Sequence, residues 1–165
     1  MRKKILIEKN KLELIEEMSS HYMHSYHLPP LPAKILSYFL IDHLEDGYTF
    51  DELVEIFNAS KSSISNSLNL LIQYNYIGQL NKFGERKRRY KIEPEHLTTR
   101  LGKIRTDLIQ EKYLVEKLIK FRTAEYKELK KQKLKKGKIY IEHLQDSIQN
   151  LTKTIEKLEK ISLSN

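Results

Sequence analysis

Two groups of side chains in this sequence have the types and spacing to do chemistry, and both are polar rather than catalytic. The first is a run of short hydrogen-bonding residues, Ser60, Ser62, Ser63, Ser65, Asn66, Asn69 and Gln73, with Lys61 among them. At about 100° per residue, Ser62, Asn66, Asn69 and Gln73 fall on one face of a helix, flanked by Ser63 and Ser65. Hydroxyls and carboxamides both donate and accept, which suits the base edges of a major groove. A helix face that only meets water more often carries Glu and Lys. The second group is basic. Lys82, Arg86, Lys87, Arg88, Arg89 and Lys91 stand against a single acid, Glu85. Such cations can lie along a phosphate backbone, and an arginine near the tip can enter a narrow minor groove. The plainer reading is a solvated edge that uses charge to resist aggregation.

The surrounding pattern supplies elements to position both groups. From Thr49 to Phe57, apolar residues at 50, 53, 54, 56 and 57 alternate with acids as in a short amphipathic helix. Asn58-Ala59 breaks it, and the Ser60 hydroxyl can accept from the first-turn amides of a second helix running to about Tyr74. Ile64, Leu68, Leu71 and Ile72 form the inward face of that helix. Two strands are expected next, Ile77–Lys82 and Arg86–Ile92, joined at Phe83-Gly84-Glu85. Upstream, Leu12, Ile15, Met18 and Tyr22 stripe a helix from about Glu8 to Tyr26, which Pro29, Pro30 and Pro32 end. Ala33 to Leu44 is a third helix that buries Ile35, Leu36, Phe39 and Leu40, and Glu45-Asp46-Gly47 closes it.

The run Ser60–Leu71, together with Tyr76-Ile77-Gly78 and Gly84–Tyr90, resembles the winged helix of the MarR superfamily, in its GbsR-like branch, over roughly residues 30–92. The resemblance implies a dimeric bacterial transcriptional regulator, often a repressor, with a recognition helix in the major groove and a wing beside it. By position, Ser62, Ser63 and Asn66 take the base-facing role, and Arg86, Lys87, Arg88 and Arg89 the wing role. Many members carry an Asp-x-Arg pair at the wing, whereas here Glu85 directly precedes Arg86, where it can hold the guanidinium by a charge-assisted bond. The branch also implies sensing of quaternary ammonium osmolytes. Tyr22, Tyr26 and Tyr38 could form an aromatic cage for such a small cationic effector, although packing is the commoner use of such rings.

Beyond Pro94 the pattern is helical. One long helix is expected over about Thr98–Lys136, with its break at Lys135-Lys136-Gly137-Lys138. The seam Ile141, Leu144, Ile148, Leu151, Ile155 and Leu158 then alternates spacings of three and four, as in a coiled coil. It can be buried by folding back on the preceding helix or by pairing with a second chain. The expected fold is thus mainly α with a small β-hairpin. It comprises an N-terminal amphipathic arm (1–28), a winged helix-turn-helix (29–96) and a C-terminal coiled-coil region (97–165), with the arms serving dimerisation.

The balance of 30 Lys+Arg against 22 Asp+Glu in 165 residues gives a net charge of +8, which favours a polyanionic partner. Cysteine is absent, which removes thiolate metal sites, cysteine nucleophiles and disulfides, and is compatible with the cytoplasm. No apolar run approaches a membrane span. His21, His24 and His27 recur at a spacing that walks around a helix, a poor arrangement for one metal. No phosphate loop, nucleophile elbow or working carboxylate pair points to an enzyme, and no cofactor is implied. The functional expectation is a cytoplasmic homodimer that binds double-stranded operator DNA. The rival is a protein-interaction adaptor whose winged helix docks other proteins.

Overall fold

The computed structural model describes residues 2–42, 44–81, 84, 86–125 and 131–162. The chain divides into two compact units, residues 1–96 and 97–165. In the first, α1 (Arg2–Tyr26) and α2 (Pro30–Asp42) lead into β1 (Tyr48–Thr49), α3 (Phe50–Phe57), α4 (Lys61–Gln73), β2 (Ile77–Leu80) and β3 (Arg89–Ile92). α1 stops where His27 takes a left-handed conformation at φ 52° just before Leu28-Pro29. α2 runs from Pro30 to Asp42, two residues short of the expected end at Leu44, with Pro32 in its first turn, where the missing amide costs no intrahelical bond.

The core of this unit is built from the apolar faces that the sequence marks. Ile35, Leu36, Phe39, Leu53, Ile64, Leu68, Leu71 and Ile77 are fully buried. α1 packs into the same unit, burying Ile15, Ser19 and Tyr22. Leu12, expected in that stripe, is 62% exposed. Its neighbour Lys11 is the residue turned to the end of α2, where its ammonium bonds the Asp42 carboxylate and lies 5.1 Å from the centre of the Tyr38 ring. The Tyr48 hydroxyl donates to the same carboxylate, which ties α1, α2 and β1 together. Burial would raise the Asp42 pKa, but the bonds from Lys11 and Tyr48 overcome it and hold the group below the ordinary carboxylate range.

The expected two-stranded hairpin is in fact a three-stranded antiparallel sheet of order β1-β3-β2. Tyr48 pairs with Tyr90 and Thr49 with Arg89, while Leu80 also faces Arg89 and Ile77 faces Ile92. The strands are shorter than the alternation suggests, so Arg86, Lys87 and Arg88 belong to the connecting loop and not to β3. The helix–strand–helix–helix–strand–strand order from α2 to β3 is that of a winged helix.

The described residues of the second unit form α6 (Lys131–Ser162) and all but the first residue of α5 (His96–Glu125). The expected break at Gly137 is not there, because Gly137 lies inside α6. Its role is close approach: a Cβ at this position would stand 2.7 Å from Cδ1 of Ile119 on α5. Three residues on, the Tyr140 hydroxyl donates to the Glu111 carboxylate at 2.5 Å, so α6 runs back antiparallel along α5. Leu144 and Ile155 of the seam are buried, and Ile141, Ile148, Leu151 and Leu158 are half-buried. No helix among the described residues is long and apolar enough to cross a membrane.

Candidate nucleic-acid interface

The helix pair α3–α4 is fixed at both of its joints by local hydrogen bonds. Thr49 caps α3: its hydroxyl accepts from the Glu52 amide at 3.3 Å, while the Glu52 carboxylate accepts from the Thr49 amide at 2.7 Å. This reciprocal box holds the Glu52 carboxyl below its ordinary pKa, first through the backbone amide of Thr49 and then through its hydroxyl. α3 ends at Asn58, which adopts the left-handed region at φ 45° and donates its amide to the Glu55 carbonyl. Ser60 then caps α4 as its sequence position suggests, its hydroxyl accepting from the Ser63 amide at 3.2 Å.

The turn therefore aims α4 by short-range geometry, and burial locks it. Ile64, Leu68 and Leu71 face the core, whereas Lys61, Ser62, Ser63, Ser65, Asn66, Asn69 and Gln73 are exposed. Ile72 is half-buried at the margin. The hydroxyls of Ser62 and Ser63 lie 3.0 and 2.8 Å from that of Ser60, forming a small cluster at the start of the helix. Ser67 interrupts the polar series by turning inward and donating to the Ser63 carbonyl at 2.7 Å.

The basic group is less uniform than its sequence. Arg86, Lys87 and Arg88 are exposed, while Arg89 is half-buried and donates from Nη1 to the Gly47 carbonyl at 3.1 Å. Lys87 forms an ion pair with Asp51 in the first turn of α3, Nζ to Oδ2 2.6 Å. The bond from Lys87 lowers the Asp51 pKa, and the same contact raises that of Lys87. Lys82 and the proposed Glu85 partner of Arg86 lie outside the described residues.

The three tyrosines considered for an aromatic cage are divided. Tyr22 and Tyr26 face each other with ring centres 5.5 Å apart, but Tyr38 packs against Tyr48 and Phe57 and carries the Lys11 ammonium on its face. A half-open hollow of about 580 Å³ lies elsewhere, between Phe39, Leu40, Tyr48 and Ile92, with Glu45 and Asp46 among its polar lining. No group of three or more potential metal-ligating side chains occurs among the described residues. Sequence reading missed β1, the Asp51–Lys87 pair and the Thr49 capping box. The last was visible as Thr-x-x-Glu before an apolar run.

No family model and no curated protein matches the chain. Among solved structures, one described as a transcriptional regulator is similar over 92% of this chain and 99% of its own, with a TM-score of 0.61 and 19% sequence identity. At that identity the likeness is one of fold.

Proposed function

We propose that the chain is a homodimeric, sequence-specific DNA-binding transcriptional regulator of the MarR or GbsR-like type, acting as a repressor. The observation that carries this reading is the exposed, uncharged hydrogen-bonding face of α4, held by two capped joints beside a loop that presents Arg86 and Arg88. α4 enters the major groove, where Ser62, Ser63 and Asn66 meet base edges and Ser60, Lys61, Ser65 and Asn69 flank them. The wing lies on the adjacent backbone, with one arginine at the minor groove. The fold shared with a transcriptional regulator supports the same class. No enzymatic activity is part of this reading.

The dimer rests on the helical arms. α5 shows apolar side chains on two sides: Leu108, Val115 and Ile119 are half-buried, while Leu114, Leu118 and Phe121 are 52, 44 and 57% exposed. A helix that is apolar on two sides has more than one partner to satisfy. For a small cationic effector, the hollow beside Glu45 and Asp46 is a better host than a cage containing Tyr38, whose ring already holds Lys11.

Selection of bound fragments from random duplex DNA tests the reading. A pseudo-palindromic consensus with half-site centres about 34 Å apart is expected, bound by a dimer in light scattering. Recovery of DNA without any sequence preference, by a protein that stays monomeric at micromolar concentration, contradicts it.

A further inference from the structure

Four consecutive cations, three before β3 and one at its start, invite the assumption that all of them serve the same partner. The geometry separates them. Lys87 reaches across from the wing to the first turn of α3, where its ammonium meets Asp51, although the two residues are 36 positions apart in sequence. Arg89 sits on β3 opposite Thr49, the cap of α3, and its guanidinium bonds the Gly47 carbonyl, 42 positions away. Both contacts end at the segment 47–51, which contains β1 and the start of the helix-turn-helix. Arg86 and Arg88 alternate with them and are exposed.

We propose that Lys87 and Arg89 are positioning residues, fastening the wing to the start of the helix-turn-helix through Asp51 and the Gly47 carbonyl, while Arg86 and Arg88 are the wing cations that meet phosphate. This rests on the DNA-binding reading above. Arg86, Lys87 and Arg88 belong to neither strand, and the β2–β3 ladder reaches no further than Leu80 and Arg89. An ion pair to the neighbouring helix restricts where the loop can go and so places Arg86 and Arg88 relative to α4. Asp51 is informative because it is an acid beside a surface meant for a polyanion. If Lys87 met phosphate, Asp51 would only compete for it and repel the DNA. If Asp51 holds the wing, its removal weakens binding. The two ideas predict opposite signs for one substitution.

The experiment is a double-mutant cycle of Lys87→Met and Asp51→Asn in the full-length protein, measured on selected operator and on random DNA across a salt series. Each single substitution is expected to lower operator affinity by roughly two- to fivefold, the range for an exposed pair, with the double no worse than either and the salt slope unchanged. Arg89→Met also lowers affinity at unchanged slope, whereas Arg86→Ala and Arg88→Ala each flatten it by about 0.9 log–log units. Tighter binding by Asp51→Asn, or additive losses with a flattened slope for Lys87→Met, overturns the proposal. In the free protein, nuclear magnetic resonance titration of Asp51 is expected to show a lowered pKa that returns to the ordinary range in Lys87→Met. An ordinary value in the unmodified protein also overturns it. If the unmodified protein selects no DNA sequence, the DNA-binding reading falls with it. If selection succeeds and the cycle is additive, only the assignment of Lys87 falls.

Discussion

α4 and the wing, which the proposed reading sets against the same DNA, are built by opposite means. α4 has three fully buried core side chains and a cap at its start, and its outer face carries a single charge, Lys61. Arg86, Lys87 and Arg88 of the wing lie outside the strand ladder, are all charged and exposed, and meet the helix pair through the surface ion pair of Lys87 with Asp51. A rigid helix with neutral donors and acceptors can distinguish bases, because each hydrogen bond has a required place. A charged loop gains from any phosphate and distinguishes little. In the proposed reading, the division of labour between base recognition and general affinity follows from how firmly each element is held.

The largest expected effect removes the firmness itself. Leu68 is 2% exposed beneath the polar face of α4, and Leu68→Ala should cost about 2–5 kcal/mol of stability through lost burial and an unfilled cavity. Thermal or denaturant unfolding checks it. A loss well under 1 kcal/mol would mean that α4 is not seated on the core as described.

Next in size is Asn66→Ala, expected to cost about 1–3 kcal/mol on operator DNA and little on random DNA. Titration of both duplexes at one salt concentration is sufficient. Equal losses on the two would remove the contrast between helix and wing.

Thr49→Ala should cost about 1 kcal/mol of stability, since it removes the hydroxyl that caps α3. Its partner Glu52 and the networked Asp42 are both held below the ordinary carboxylate range. A carboxyl whose folded pKa is depressed lends stability that is present above its unfolded pKa and drains as pH falls through the folded one. Stability of the first unit should therefore decline as pH falls below about 4.5, and Asp42→Asn should flatten that decline. A stability curve level down to pH 3 would show that neither contact contributes.

The sequence disclosed the helix pair, the Ser60 cap and the buried face of α4 because each depends on spacing or local chemistry within a few residues. It did not disclose β1, since two residues have no period, and Tyr48-Thr49 becomes a strand only by pairing with Tyr90 and Arg89. Gly137 differs from its expected role for a related reason. A glycine after lysines reads as a turn, but its contact is with Ile119, and a close approach between helices leaves no local mark. Leu12 shows the limit of helical stripes, which locate a face but not where the opposing helix ends. The split among the wing cations was likewise invisible, because Asp51 lies 36 positions from Lys87. At the candidate interface, residue types were legible and long-range contacts were not.

The smallest effects lie in the wing, and one salt series can compare them directly with the helix. Asn66→Ala, Arg86→Ala and Arg88→Ala should be measured on selected operator and on random DNA from low to moderate salt. The account predicts that Asn66→Ala lowers operator affinity alone and leaves the slope intact. Each arginine substitution should lower both affinities together and flatten the slope by about 0.9 log–log units. If Asn66→Ala weakens both duplexes equally, or neither arginine substitution moves a slope, α4 and the wing do not form the DNA interface described here.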